Sequence, residues 1–166
     1  MSPGSALGRT GMATAELANV QMWYDRRGQG DPLVALHPGG AGVDSRALAP
    51  NVEALSQHFR VYTPEQRGHG HTPDVEGPIT FELMAQDTIT FIETVVGGPV
   101  HLLGCSDGAI LALTIALRRP DLVRRLVFTS KRSLMGSLVN RRLTIVAAVA
   151  VTVVIVALNV YLLTTG

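Results

Sequence analysis

Ser106 stands at the centre of Gly104-Cys105-Ser106-Asp107-Gly108, which fits Gly-x-Ser-x-Gly. A serine hydroxyl presented on a strained strand-to-helix turn can attack a carbonyl carbon, and side chains two residues to either side of it would collide unless both were glycine. That chemistry requires an apolar strand before the serine and a helix directly behind it. Val100-His101-Leu102-Leu103 reads as a short buried parallel strand, and Ala109 to Arg118, rich in Ala, Leu and Ile, reads as the helix. The competing reading is a glycine-rich turn that carries an exposed serine.

Upstream, Leu33-Val34-Ala35-Leu36 forms another strand candidate and runs into His37-Pro38-Gly39-Gly40-Ala41-Gly42. A loop so rich in glycine is suited to exposing backbone N–H groups. Acyl transfer develops an oxyanion, and each preorganised donor in a water-poor site is worth about 3 kcal/mol in the transition state. Asp107 N–H, next to the nucleophile, and Gly39 N–H, on the earlier loop, are the candidate oxyanion hole.

From about Val20 to Ser130 the chain resembles the α/β-hydrolase family. Trp23-Tyr24-Asp25-Arg26-Arg27-Gly28 looks like the opening hairpin strand, and the stretch from Arg60 to Thr72, with Glu65-Gln66-Arg67-Gly68-His69-Gly70-His71-Thr72, is similar to the family's Asp-x-Arg-Gly-x-Gly-x-Ser segment. Glu65 stands where the family usually has Asp, and Pro38 follows His37 where the family has a His-Gly pair. The resemblance implies an α/β fold of three layers around a mostly parallel sheet, acting on a small-molecule carboxylic ester or amide. Ser106 Oγ would attack the carbonyl, the Gly39 and Asp107 amides would hold the anion, and water would resolve the acyl-enzyme. No cofactor and no metal is implied.

The resemblance also implies a base and an acid in the order Ser, Asp or Glu, His. After Ser106 the only carboxylates are Asp107 and Asp121, and no histidine follows. Arg124 to Ser130 looks like the sixth strand, and the hydrolase-like region stops there. The expectation is therefore an incomplete α/β-hydrolase domain with slow or absent turnover, since losing a triad histidine can cost about a million-fold. A partner chain that supplies the histidine is left open, and a non-catalytic pseudoenzyme is the alternative.

All five histidines precede the nucleophile. His37 could line the site, in a structural role more than as the base. His69 and His71 form a His-x-His pair on a glycine-rich turn that reads as a solvated loop, because a metal site needs a third ligand. His58 reads as surface, and His101 as packed or at the rim. Cys105, the single cysteine, excludes an intramolecular disulfide and reads as a small buried residue beside the nucleophile.

The 166 residues carry a formal net charge of +1, which argues against a nucleic-acid partner. Beyond Ser130 the composition changes. A basic linker over 131–142 precedes Leu143 to Leu163, an uncharged apolar run without Gly or Pro that is long enough to span a bilayer. Two buried strands are the other reading of it. The basic flank predicts a cytoplasmic globular part anchored by a single membrane-spanning helix, with the lipid bilayer as partner, and a wholly cytoplasmic protein is the alternative. Leu134 to Leu143 and the run behind it also resemble the last transmembrane segment of Nramp-type metal transporters, which implies a gene fusion; an accessory role beside a helical partner is a further possibility. The expected organisation is a disordered start over 1–18, a truncated hydrolase domain over 19–130, the linker and the helix at 143–163.

Overall fold

The computed structural model describes residues 11–127. Within them an antiparallel hairpin, β1 (Gly11–Leu17) and β2 (Val20–Arg27), leads into β3 (Asp31–Leu36). A 3-10 turn (Ser45–Leu48) and α1 (Ala49–Leu55) follow, then β4 (Phe59–Pro64), α2 (Phe81–Phe91), β5 (Val100–Gly104), α3 (Asp107–Arg118) and β6 (Val123–Val127). The six strands form one sheet in the order β1-β2-β4-β3-β5-β6. The pairs from β4 through β6 are parallel, and β2 joins β4 antiparallel.

Strand order fixes where the helices go. The chain steps outward from β3 to β4 through α1, then doubles back past β3 to β5 through α2. Right-handed crossovers in opposite directions put their helices on opposite faces of a sheet. Val34, Leu36, Tyr62, Val100 and Leu102 accordingly turn toward Met84, Ala85, Ile89 and Phe91 of α2 and Leu111, Ala112 and Ile115 of α3, in one buried cluster. Their neighbours Leu33, Ala35, Val61 and Leu103 are also buried, on the face where Val52 and Leu55 of α1 lie. The near-continuous apolar runs of β3 and β5 follow from being covered on both faces.

The structure begins the domain earlier than the sequence suggests. Gly11–Leu17, expected within a disordered start over 1–18, is strand β1, paired with β2 from Gly11↔Arg26 to Leu17↔Val20. Only Ala15 and Leu17 of its residues are buried, so the apolar alternation that would mark a strand is confined to its last turn toward β2. Helix α2 is an element that the sequence reading leaves unassigned. The Thr80 hydroxyl caps it by accepting from Leu83 N at 3.2 Å, and Glu82 lies in its first turn. It continues into a π-helical turn, Ile92–Val96, which ends at Gly97 in the left-handed region. Helix α3 starts two residues before Ala109, at Asp107, and β6 occupies Val123–Val127 of the stretch expected at Arg124 to Ser130.

Among the described residues no helix is long and apolar enough to cross a membrane. The linker at 131–142, the apolar run at 143–163 and its transporter-like lead-in lie outside the described residues.

One buried ion pair ties α2 to the loop after β4. Arg67 Nε and Nη2 donate to Asp87 Oδ2 and Oδ1 at 2.7 and 2.9 Å, with both side chains at most 10% exposed. Removing one partner of such a pair leaves an uncompensated buried charge. Asp87→Ala is therefore expected to destabilise the fold by about 3 kcal/mol, read as a lower urea midpoint, while a double Arg67→Met, Asp87→Leu variant should recover much of that loss.

Candidate active site

β3 and β5 are adjacent and parallel, with Leu36 opposite Gly104, yet the chain leaves β3 toward α1 on one face and β5 toward α3 on the other. A crevice opens where connections diverge in this way, at the carboxyl ends of the strands. Both loops predicted to carry the chemistry emerge into it, residues 37–44 after β3 and Cys105-Ser106 after β5.

Ser106 has φ 52° and ψ −119°, and it is the single non-glycine residue with positive φ among the described residues. An L-residue in that region carries strain of order 1–3 kcal/mol, which the surroundings must impose. They do so by clamping α3 against β3. Cys105 N donates to Leu36 O at 3.2 Å, extending the β3–β5 ladder by one bond, and Ala109 N donates to Ser106 O at 2.8 Å to start the helix. A Cβ on Gly104 would lie 2.5 Å from Ala109 Cα, and one on Gly108 would lie 2.7 Å from His37 O. The two glycines thus let helix, elbow and the loop after β3 pack backbone to backbone. Ser106 itself is exposed.

Asp107 opens α3, so its N–H has no partner within the helix. Its carboxylate approaches Gly39 closely enough that a Cβ on Gly39 would collide with it. The structure therefore brings together Ser106, Asp107 and Gly39.

His37 is buried, at 2% exposure, and both of its ring nitrogens are engaged. Gln66 N–H donates to Nε2 at 3.1 Å, which leaves Nδ1 as the protonated nitrogen, 2.7 Å from Pro38 O. In a trans peptide the C=O and N–H point in opposite directions. By drawing the Pro38 carbonyl toward itself, His37 turns the Gly39 N–H of the same peptide the other way. The imidazole is thus a brace for the loop after β3, with no free nitrogen for Ser106. Burial holds its pKa below the ordinary histidine value, against the opposing bond to Pro38 O and aided by His69. Asp44, at the end of the same loop, caps the 3-10 turn by accepting from Arg46 N at 2.8 Å, and the Arg46 guanidinium lowers its carboxyl to about 2.

The other sequence candidates disperse. Cys105, expected to be buried, is exposed, because none of the described residues covers the turn between β5 and α3. His58 is exposed. His101 is packed edge-on against Phe59, 5.5 Å between ring centroids. His69 leans on the His37 ring at 5.2 Å, while His71 turns to Glu65, 3.0 Å from Oε2. Among the described residues no three His, Cys, Asp or Glu side chains are grouped to hold a metal.

Glu65 has a larger part than its position as a one-carbon departure from the family motif suggests. It is fully buried and accepts from Ser45 N at 3.3 Å, Ser45 Oγ at 2.8 Å and His71 N at 2.5 Å. Its longer side chain reaches from the end of β4 to the turn before α1, and Gly70, at φ 57°, leaves the room for it.

A mixed sheet wrapped on both faces, with a serine elbow at its switch point, defines an α/β fold of hydrolase type. A family model described as alpha/beta hydrolase fold matches residues 32–151, and the chain belongs to that family. The match runs past Ser130, where the sequence reading ends the hydrolase-like region. The chain is 33% identical over 114 residues to (E)-2-((N-methylformamido)methylene)succinate hydrolase of Acinetobacter baylyi, covering 68% of this chain and 43% of that protein. It is 34% identical over 131 residues to the human serine hydrolase BPHL, covering 75% and 45%. The enol-lactonase of Burkholderia xenovorans superposes with a TM-score of 0.63 at 30% identity, over 69% of this chain and 45% of that one. The chain spans less than half the length of the curated relatives it matches.

Two outcomes follow from this geometry. Gly108→Ala should destabilise the fold by about 2–4 kcal/mol in denaturant titration, since the new methyl meets backbone that cannot yield. His37 and His101 both have lowered pKa values through burial, so the unfolded chain binds more protons at pH values below about 6.5. Stability should fall as pH drops from about 7 through that range, and His37→Gln, whose amide oxygen can still accept from Gln66 N, should flatten the dependence in urea midpoints measured across it.

Proposed function

We propose that the chain binds a small-molecule ester or amide in the β3/β5 crevice and accepts its acyl group on Ser106, with turnover impaired because none of the described side chains serves that serine as a base. Ser106 Oγ bonds to the carbonyl carbon as its proton passes to water, the carbonyl oxygen takes the electron pair, and the Gly39 and Asp107 amides receive the resulting anion. Collapse expels the alcohol or amine, and water then releases the acid. The observation that carries this reading is the strained Ser106 backbone, since strain at a serine between two glycine-floored close contacts has no packing benefit. Hydrolase relatives and the family match support the same class.

The proton of Ser106 is the weak point. Both His37 nitrogens are engaged, and none of the described side chains bonds to the Ser106 hydroxyl. That observation favours a second reading, a hydrolase-like protein that holds carbonyl ligands without turning them over.

Fluorophosphonate labelling of the chain and of Ser106→Ala separates the two, because labelling requires an activated serine but no turnover. Slow labelling that disappears in Ser106→Ala, with p-nitrophenyl ester release that stops near one equivalent, is the expected result. Sustained release would show that a base is present, and a folded chain that is never labelled would leave the non-catalytic reading.

A further inference from the structure

A second concave site, of about 270 Å³, lies on the β2 side of α1, and neither Ser106 nor the residues of the oxyanion loop line it. Its wall is aromatic. The Trp23 and His71 rings stack with centroids 4.7 Å apart and planes inclined by 25°. The imidazole is held in that pose from behind by the buried Glu65 carboxylate, so the platform is built into the turn after β4. Ala49 and Val52 of α1 give the opposite side an apolar lining.

Arg27 and Arg46 supply the charge. Each is paired to an aspartate of its own, yet neither is fully engaged. Among the described residues Arg27 donates to Asp25 through Nε, with no bond from its terminal nitrogens, and Arg46 uses Nε and Nη2 on Asp44 with none from Nη1. The aspartates are the more satisfied partners. Asp25 also accepts from Arg26 N and Asp44 from Arg46 N, so their oxygens face bonds already made. A cavity that presents the outer face of a stacked aromatic pair, an apolar opposite side and guanidinium groups with bonding capacity to spare fits one kind of ligand.

We propose that this cavity binds a planar aromatic carboxylate, its ring against the Trp23–His71 platform and its carboxylate on Arg27 and Arg46. The site is separate from the Ser106 crevice and does not depend on hydrolysis.

Trp23 is the only tryptophan of the chain, so its fluorescence reports the cavity directly. Titration with benzoate should change that emission saturably, and cyclohexanecarboxylate, which keeps the charge without the plane, and benzamide, which keeps the ring without the charge, should each bind at least about ten-fold more weakly. Arg27→Gln should weaken benzoate by a similar factor, and Ala49→Phe, on an exposed position of α1, should block it while circular dichroism remains that of the parent. Absence of a saturable change with benzoate overturns the proposal. Equal binding of cyclohexanecarboxylate, or benzoate binding untouched by both Arg27→Gln and Ala49→Phe, overturns it as well.

Discussion

The backbone contact between α3 and β3 governs everything near Ser106. With glycine at 104 and 108 the helix descends until its first turn touches the carbonyls of Leu36 and His37, and the serine at the bend has no relaxed conformation left to adopt. A larger residue at either place would lift α3 from the sheet and relax Ser106 toward ordinary φ values. It would also separate the Asp107 amide from the loop that carries Gly39. The exposure of Ser106 and the approach of Asp107 to Gly39 are thus two results of one steric condition, not independently arranged features.

The second half of the arrangement is the peptide between Pro38 and Gly39. Its orientation is not set by the glycines around it, which would allow many. It is set by an imidazole that cannot rotate, because one nitrogen receives the Gln66 amide and the other holds the Pro38 carbonyl. Pro38 itself narrows the choice further through its fixed φ. A flexible sequence is thus given one direction by a buried, neutral side chain, and neutrality is needed for it, since a doubly protonated ring could not accept from Gln66.

The parts of the fold that were legible in the sequence are those with a local signature. Leu33 to Leu36 and Val100 to Leu103 are apolar on both faces because helices cover both, and Gly-x-Ser-x-Gly announces its turn by its own sterics. What escaped has a signature only in three dimensions. β1 buries two side chains and exists because β2 is there to pair with it. Asp87 reads as an ordinary polar residue, yet both of its oxygens accept from the guanidinium of Arg67, twenty positions away. Thr80 with Glu82, followed by Met84, Ala85, Thr88 and Ile89, was the available signal for α2, a hydroxyl cap before a spaced apolar stripe. Cys105 was misplaced for a related reason, since an apex of backbone contacts leaves little to bury the residue beside it.

Three consecutive residues after β4 each hold a different part of the molecule. Glu65 reaches the turn before α1, the Gln66 backbone N–H reaches His37 in the loop after β3, and Arg67 reaches α2. Because the three anchors come from consecutive positions, two through side chains and one through a backbone N–H, the loss or gain of one residue here would displace all three at once. Change of length is consequently barred at 65–67, whereas the exposed stretch around Gly77, with nothing within 4 Å of where a side chain would begin, offers the same loop a place to grow or shrink.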